Sequence, residues 1–280
     1  MIGSVAYFPS QCAQNSHPVM LAAKQSLSAR GIQLLENSMD ADCALIWSVL
    51  WSGRMINNRR VYEHYRSHNR PVIIIDVGTL IRGITWKISI NNINALGYYG
   101  HEQDLDFDRP KKLGLELGTS LKTNPAILIA SQHRSSLQTA DIDLETWISI
   151  MYSELRKHTD RPVLLRPHPR CALATNLLPK QIQVVQPTKI ANSYDSYDFV
   201  TDYHAIVNYN SGPGILAALA GTPPIVHASS LAGPVSISID EIEKPYEIDR
   251  SRWFVSITHT EYTIAEIQQG LWLKRLGSHL

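Results

Sequence analysis

Cysteine is scarce in this 280-residue chain: Cys12, Cys43 and Cys171 are the whole complement. They are widely spaced, odd in number and free of CxxC or Cys/His zinc spacing. That excludes a disulfide framework and fits a reducing compartment. Long apolar runs are missing too. None approaches the roughly 20 residues of a membrane helix, and the N-terminus has neither a basic n-region nor an apolar h-region. The expectation is a soluble, cytosolic chain with no membrane partner. Nor does one sign of charge dominate. A net charge of +1 with 18% charged residues demands no polyanionic partner, although a local basic face can hide in a neutral total. The length suffices for one large α/β core or two smaller ones.

What the chain does have is a dense motif from His204 onward, HAIVNYNSGPGILAALAGTPPIV. An apolar strand is predicted over residues 205–209, then a sharp turn through Asn210, Ser211, Gly212, Pro213 and Gly214. A short Ala/Leu-rich helix over 215–220 ends at Gly221, and Pro223 and Pro224 bar its continuation. A second strand follows over 224–227. Small residues at a helix N-terminus leave N–H groups unpaired at the positive end of the dipole, which suits a phosphate. The plain alternative is a tight strand-to-helix turn of any α/β domain.

The first half alternates strands and helices. Strands are predicted over 3–8, 32–35 and 43–49, with a helix over 19–30. The DxD of Asp40 and Asp42 precedes a strand rather than following one, so a solvated turn is expected there rather than a metal site. Residues 54–69 read as a basic helix carrying Arg54, Arg59 and Arg60. It is either a solvated face or a phosphate-backbone contact surface. PVIIIDV, residues 71–77, is almost unbroken in its apolar character and reads as a central strand covered on both faces. Such strands present functional groups at their C-terminal ends. Asp76 stands there, followed by Gly78 and Arg82. A carboxylate at that position is either paired to Arg82 or at work, and the second reading is preferred. After a strand over 85–90, the loop 91–100 interleaves amides, Asn91 and Asn94 among them, with aromatics, and can hydrogen-bond a sugar or stack on a base. It also reads as an ordinary surface loop. The charged run 104–118 looks like a connection, with a domain boundary near residue 122.

The second half resumes the alternation. A strand over 126–130 delivers Gln132 and His133, a helix covers 141–158, and a strand over 162–165 delivers Arg166, Pro167, His168, Pro169 and Arg170. Two arginines and a histidine held between prolines form a stiff basic knuckle suited to bidentate phosphate contact; a lone basic turn is the alternative. A strand over 182–185 and a short helix over 190–198 precede the opening motif. Three strand ends, at Gln132, at Arg166–Arg170 and at Asn210–Gly214, are thus expected to converge at one edge of one sheet. The terminal helices carry Trp253 and Trp272, read as core anchors, and Thr263 with Glu266 at capping-box spacing.

Two Rossmann-like halves with phosphate-seeking loops in the second resemble the GT-B glycosyltransferases. RPHPR is similar to the HP motif of capsular Kdo- and sialyltransferases. The Asn210-Ser211-Gly212 turn and the helix behind it resemble the nucleotide-phosphate turn of that group. Asp76-Val77-Gly78 with Arg82 is similar to its acidic-acidic-Gly-x-x-Arg motif, although Val77 replaces the second acid and Arg82 lies one residue further on. A resemblance over most of the chain is to phage-encoded glycosyltransferases, carried by IDVGTLIRGITWKISINN, NYNSGPG and IEKPYEIDRSRW…YTIAEIQQGLW. This group includes enzymes taken to glycosylate hydroxymethylpyrimidines in DNA.

The resemblance implies two Rossmann-like domains facing across a cleft, residues 1–122 holding the acceptor and 123–280 the nucleotide sugar. It implies an inverting, metal-independent hexosyltransferase without a cofactor, with a UDP-sugar such as UDP-glucose as co-substrate. Double-stranded DNA carrying a hydroxymethylpyrimidine is the implied partner, in a phage-infected host cytoplasm. Asp76 is then the catalytic base. Arg166, His168, Arg170, Asn210, Ser211, Gly212 and Gly214 face the departing diphosphate, and Gln132 and His133 the nucleoside. Arg82, Asn91, Asn94, Arg54, Arg59 and Arg60 serve the acceptor. The alternatives are a transferase acting on a surface polysaccharide or lipid-linked saccharide, and a non-catalytic nucleotide-sugar binder or sugar epimerase of the same fold.

Overall fold

The computed structural model describes residues 2–119, 124–186, 190–191, 194–195 and 198–280. The elements of the first stretch are β1 (Ser4–Tyr7), α1 (His17–Ser28), β2 (Gln33–Glu36), β3 (Cys43–Trp47), α2 (Asn58–Ser67), β4 (Val72–Val77), β5 (Thr85–Ile90) and α3 (Arg109–Lys112). Next come β6 (Ile127–Ala130), α4 (Leu144–His158), β7 (Val163–Arg166), β8 (Gln183–Val184), β9 (Ile190–Ala191) and β10 (Tyr194–Asp195). The chain then runs through β11 (Ala205–Asn208), α5 (Gly212–Ala220), β12 (Pro224–Val226), α6 (Ser251–Thr258), β13 (Glu261–Thr263), α7 (Ile264–Gln268) and α8 (Leu271–Leu276).

The chain divides into two compact units, one of Met1–Arg109 with Val255–Leu280 and one of Pro110–Phe254. The boundary expected near residue 122 lies outside the described residues. The expected short helix over 190–198 lies partly outside them as well; its described parts, β9 and β10, pair as antiparallel strands.

The first unit holds a sheet in the order β13-β5-β4-β3-β1-β2. β1 to β4 are parallel, β5 runs antiparallel to β4, and β13 pairs antiparallel with β5 and so points the same way as β1 to β4. β3 is buried along its whole length, as are Val72–Ile75 of β4, which is why these stretches read as unbroken apolar runs. The second unit holds an all-parallel sheet, β12-β11-β6-β7-β8. Its core lies between α4 and the sheet, with Ile148 and Leu155 against Ile127, Ile129, Val163 and Leu165. Asp143 caps α4 by accepting the Thr146 N–H at 2.9 Å.

The terminal segment corrects the expected division. Residues 255–280, assigned from sequence to the second domain, belong to the first unit. β13 completes its sheet beside β5, and Trp272 is fully buried with its indole N–H donating to Ser26 Oγ of α1 at 3.1 Å. Burying that indole, together with Ile267, Tyr262 and Leu276, removes apolar surface worth several kcal/mol. The Thr263–Glu266 capping box is formed as expected.

Candidate functional site

In an open parallel sheet, ligands bind outside the carboxyl ends of the strands where the strand order reverses. In the second unit the chain builds β6, β7 and β8 outward in one direction, then returns to lay β11 on the other side of β6. The reversal therefore lies between β6 and β11. The loops leaving these two strands are those of Gln132 and Asn210.

Asn208, the last residue of β11, organises that edge. It is fully buried, so both ends of its amide need partners. Its Nδ2 donates to the Ala130 carbonyl at 2.8 Å and to Ser211 Oγ at 3.0 Å. Its Oδ1 accepts the Ser211 N–H at 2.7 Å. This bends the chain sharply into α5, which starts at Gly212 rather than at 215 because Pro213 fits the first helical turn. Gly212 and Gly214 are thus in that first turn, where N–H groups lack a carbonyl one turn back. The Gly214 N–H makes a long 3.3 Å bond to Ser211 O. A Cβ on Gly214 would stand 2.7 Å from Val226 Cγ1, so only glycine lets α5 pack this closely on β12.

Gln132 and Asn210 are brought together and bond to each other. The Gln132 amide donates to Asn210 Oδ1 at 2.9 Å and accepts the Asn210 N–H at 3.1 Å. Asn210 Nδ2 reaches Ser229 Oγ at 2.9 Å. The hydrogen-bonding groups expected to face a nucleotide are thus engaged within the protein, tying the two loops across the reversal.

The basic knuckle joins this edge from β7. The His168 N–H donates to Ser131 Oγ at 3.1 Å, and its ring lies edge-on to His133 at 5.4 Å. His168 Nδ1 accepts the Arg170 N–H, and His133 Nδ1 accepts the Ser135 N–H, each at 3.1 Å. In the neutral rings the proton therefore sits on Nε2, making each imidazole a donor there. Burial, then the nearby Arg170 and Arg134 guanidinium groups, lower the His133 pKa. Arg166 is buried at the end of β7, whereas Arg170 is exposed. The convergence of three strand ends expected from sequence is thus formed.

The first unit presents a different edge. Asp76 near the end of β4 is flanked by Ser48, just past β3. Ser48 Oγ donates to Asp76 Oδ2 at 3.1 Å, and Oδ1 accepts the Val77 N–H at 2.7 Å. Ser48 is buried with φ of +64°, a conformation that costs a non-glycine residue about 1–3 kcal/mol and clusters at working sites. Asp76 is opposed on β5 by Lys87, which is opposed in turn on β13 by Glu261. Directly opposed residues share one face of a sheet, so carboxylate, ammonium and carboxylate form a lateral row. Lys87 and Glu261 are buried. Burial raises the Asp76 pKa, against the lowering effect of the Val77 N–H, Ser48, Lys87 and Arg82. Burial lowers the Lys87 pKa, against the two carboxylates.

Glu261 also fixes the turn after Asp76. Its carboxylate accepts the N–H of Thr79 at 2.6 Å and of Leu80 at 3.0 Å, and the Thr85 hydroxyl at 2.7 Å. A Cβ on Gly78 would stand 2.1 Å from the Thr85 carbonyl oxygen, so the turn admits only glycine. Arg82 folds back to donate to the Gly78 carbonyl at 2.9 Å.

The remaining sequence candidates divide. Arg54 and the first turn of α2, with exposed Arg59 and Arg60, lie at the edge of Asp76, because Asn58 Nδ2 donates to the carbonyl of Trp47 at the end of β3 at 2.6 Å. Arg59 is paired with Glu63 at 2.7 Å. Asn91 and Asn94 lie at the opposite edge. Asn91 Oδ1 accepts the Val72 N–H, where β4 begins, at 2.9 Å, and Asn94 Oδ1 accepts the Leu96 N–H at 2.9 Å. Asp76 stands four positions along the strand from Val72, roughly 13 Å, so the structure does not bring these amides to the carboxylate. Asp42 is also at that far edge, accepting the N–H groups of Gly3 and Ser4 at 2.8 and 2.9 Å.

Sequence reasoning missed Ser48, Lys87, Asn208 and Glu261. Lys87 and Asn208 carried a signal, being polar residues within otherwise apolar strands. Glu261 gave none, since its partners are more than 170 residues away.

No family model matches the sequence, and no curated protein does. Among solved structures, two of KpsC from Thermosulfurimonas dismutans are similar, a beta Kdo 2,4 transferase with a TM-score of 0.55 and a beta Kdo 2,7 transferase with 0.53. Each comparison covers 96% of this chain and 98% of that chain at 11% identity. Two Rossmann-like units, together with this likeness over nearly the whole chain, make the fold GT-B.

Proposed function

We propose that the chain is an inverting glycosyltransferase that moves a sugar from a nucleotide sugar to a hydroxyl acceptor. The observation that supports this best is the pairing, within one GT-B chain, of a carboxylate edge with an edge of helix-N-terminal amides and cationic donors. Asp76 would take the proton from the acceptor hydroxyl as its oxygen attacks the anomeric carbon. The bond from that carbon to the phosphate oxygen breaks, and the diphosphate leaves with the electron pair. Arg166, Arg170, the Nε2–H of His168 and the first-turn amides of α5 would meet its charge, so the reading invokes no metal. One displacement by one base inverts the anomeric centre.

The acceptor in this reading is a 5-hydroxymethylpyrimidine of double-stranded DNA. It is supported by Arg54, Arg59 and Arg60 lying at the edge of Asp76, where they would follow backbone phosphates. The target base would leave the stack to reach the carboxylate.

The test is to incubate the protein with UDP-glucose and hydroxymethylcytosine-containing duplex DNA, then digest to nucleosides for mass spectrometry. A gain of one hexose, reduced by about 10²–10⁴-fold in Asp76→Asn, is the expected result. No gain with any of several UDP- and CMP-sugars, on hydroxymethylcytosine and hydroxymethyluracil DNA alike, removes the DNA acceptor and leaves a saccharide hydroxyl as the target.

A further inference from the structure

The strand order of the first unit also reverses, between β1 and β3, since β1 and β2 are laid outward in one direction and β3 and β4 in the other. The crevice at that reversal is lined from the loop after β1, from the start of α1 and from Arg54 after β3. It is a cavity of about 300 Å³, large enough for one sugar or nucleotide unit. His17, Lys24 and Arg54 line it, and among the described residues no acidic side chain does. Lys24 is held over the Tyr7 ring with Nζ 3.8 Å from its centroid, which fixes the ammonium at the wall. Glu36, which touches the lining, accepts the Tyr7 hydroxyl at 2.8 Å. Cys12 presents a neutral thiol there, because burial pushes its pKa up. Met20 and Leu21 form an apolar side.

We infer that this crevice binds an oxyanion, phosphate or carboxylate, carried by a ligand the size of a single sugar or nucleotide. The Lys24 ammonium and Arg54 guanidinium, with the His17 ring beside them, line the crevice, while the neighbouring Glu36 carboxylate accepts the Tyr7 hydroxyl; the lining therefore favours an anion, while the apolar side takes a ring face. The ligand is the acceptor of the transfer proposed above, and to that extent the inference rests on that reading. The oxyanion comes either from an acidic sugar or from a nucleotide phosphate.

The test measures binding to the full chain by calorimetry and by the NMR signals of the Lys24 ammonium and the Tyr7 ring. The probes are glucose 6-phosphate, glucuronate, hydroxymethyldeoxycytidine 5′-monophosphate, and the uncharged glucose and hydroxymethyldeoxycytidine. The charged probes are expected to shift both signals and bind at least tenfold more tightly than their neutral counterparts. Lys24→Met and Arg54→Met should each lower that affinity about tenfold, and Lys24→Arg should restore most of it. Preference for the nucleotide over the sugars assigns the oxyanion to nucleic acid, and the reverse assigns it to a saccharide. Equal binding of neutral probes, or a Lys24→Met/Arg54→Met double variant that binds as the parent does, overturns the inference. Transfer unaffected in that double variant would also overturn it while leaving the transferase reading intact. Oxyanion binding in a chain that transfers no sugar would leave the crevice standing and remove the transferase.

Discussion

The two sheet edges solve opposite electrostatic problems. The first unit keeps a half-buried carboxylate at the end of β4 and surrounds it with Ser48, Lys87 and Arg82. The second unit builds its edge at the α5 turn from amides, a neutral imidazole pair and arginines. Desolvation raises the energy of a lone anion and so raises its proton affinity, which is the state a base needs. Desolvated N–H donors instead strengthen toward an incoming anion. In the proposed transfer, one edge would receive a proton and the other would receive negative charge.

The largest expected effects separate the two. Asp76→Asn should cut transfer by about 10²–10⁴-fold while leaving nucleotide-sugar affinity in calorimetry within about twofold. Asn208→Ala should do the converse to the second unit. It strands the Ser211 N–H and the Ala130 carbonyl, at a cost of about 2–4 kcal/mol. Faster hydrogen exchange in β11 and α5, with β4 unchanged, would verify it, and exchange altered equally in both units would break the comparison.

Next in size is the pH response of the first edge. Because the native Asp76 pKa is raised above the ordinary 3.8, the acid limb of kcat/KM should lie above that value, activity growing as pH rises through it. The sign for stability is opposite. Between 3.8 and the raised value the native state keeps a proton that the unfolded chain has lost, so this group's contribution declines as pH rises through that window. Lys87→Met removes an opposing charge and should move the limb further upward. A limb that stays in place would show that Lys87 only packs.

Glu261→Gln should cost the first unit about 1–3 kcal/mol, since a carboxylate accepting three hydrogen bonds is replaced by an amide with one oxygen. Urea unfolding followed through the first-unit Trp47 and Trp272 would register it, and the second unit should be unaffected. Smallest is Arg59→Ala with Arg60→Ala. Both side chains are exposed, so stability should change by no more than about 0.5 kcal/mol. If they neutralise DNA phosphates, the salt slope of binding should fall by about 0.9 for each phosphate that the variant leaves unneutralised. An unchanged slope removes them from any DNA interface.

Much of the fold was legible because it is written in local pattern. Residues 71–77 read as a central strand from their apolar run, and Gly221 and Pro223 delimit α5 without reference to anything distant. The three strand ends of the second unit were legible for the same reason, since a parallel sheet sends every strand's end to one side. What pattern does not carry is pairing between segments far apart in the chain. The tail joins the first unit because β13 pairs with β5 and the Trp272 indole finds a site against α1, and sequence adjacency suggested the opposite. That the amides of Gln132 and Asn210 bond to each other is likewise visible only in the tertiary structure. Asn91 and Asn94 lose their place beside Asp76 because β5 runs antiparallel to β4, which carries the loop after it to the far edge.

The sequence by itself therefore determined most of the central strands, the stop of α5, the α/β class and the identity of the candidate residue types, because these depend on residues within one turn or one strand of each other. The tertiary structure alone decided which of those residues share an edge and which polar groups are already satisfied. It also decided that a carboxylate near the C-terminus would hold the turn behind Asp76, because each of these depends on contacts that close only when distant segments fold together.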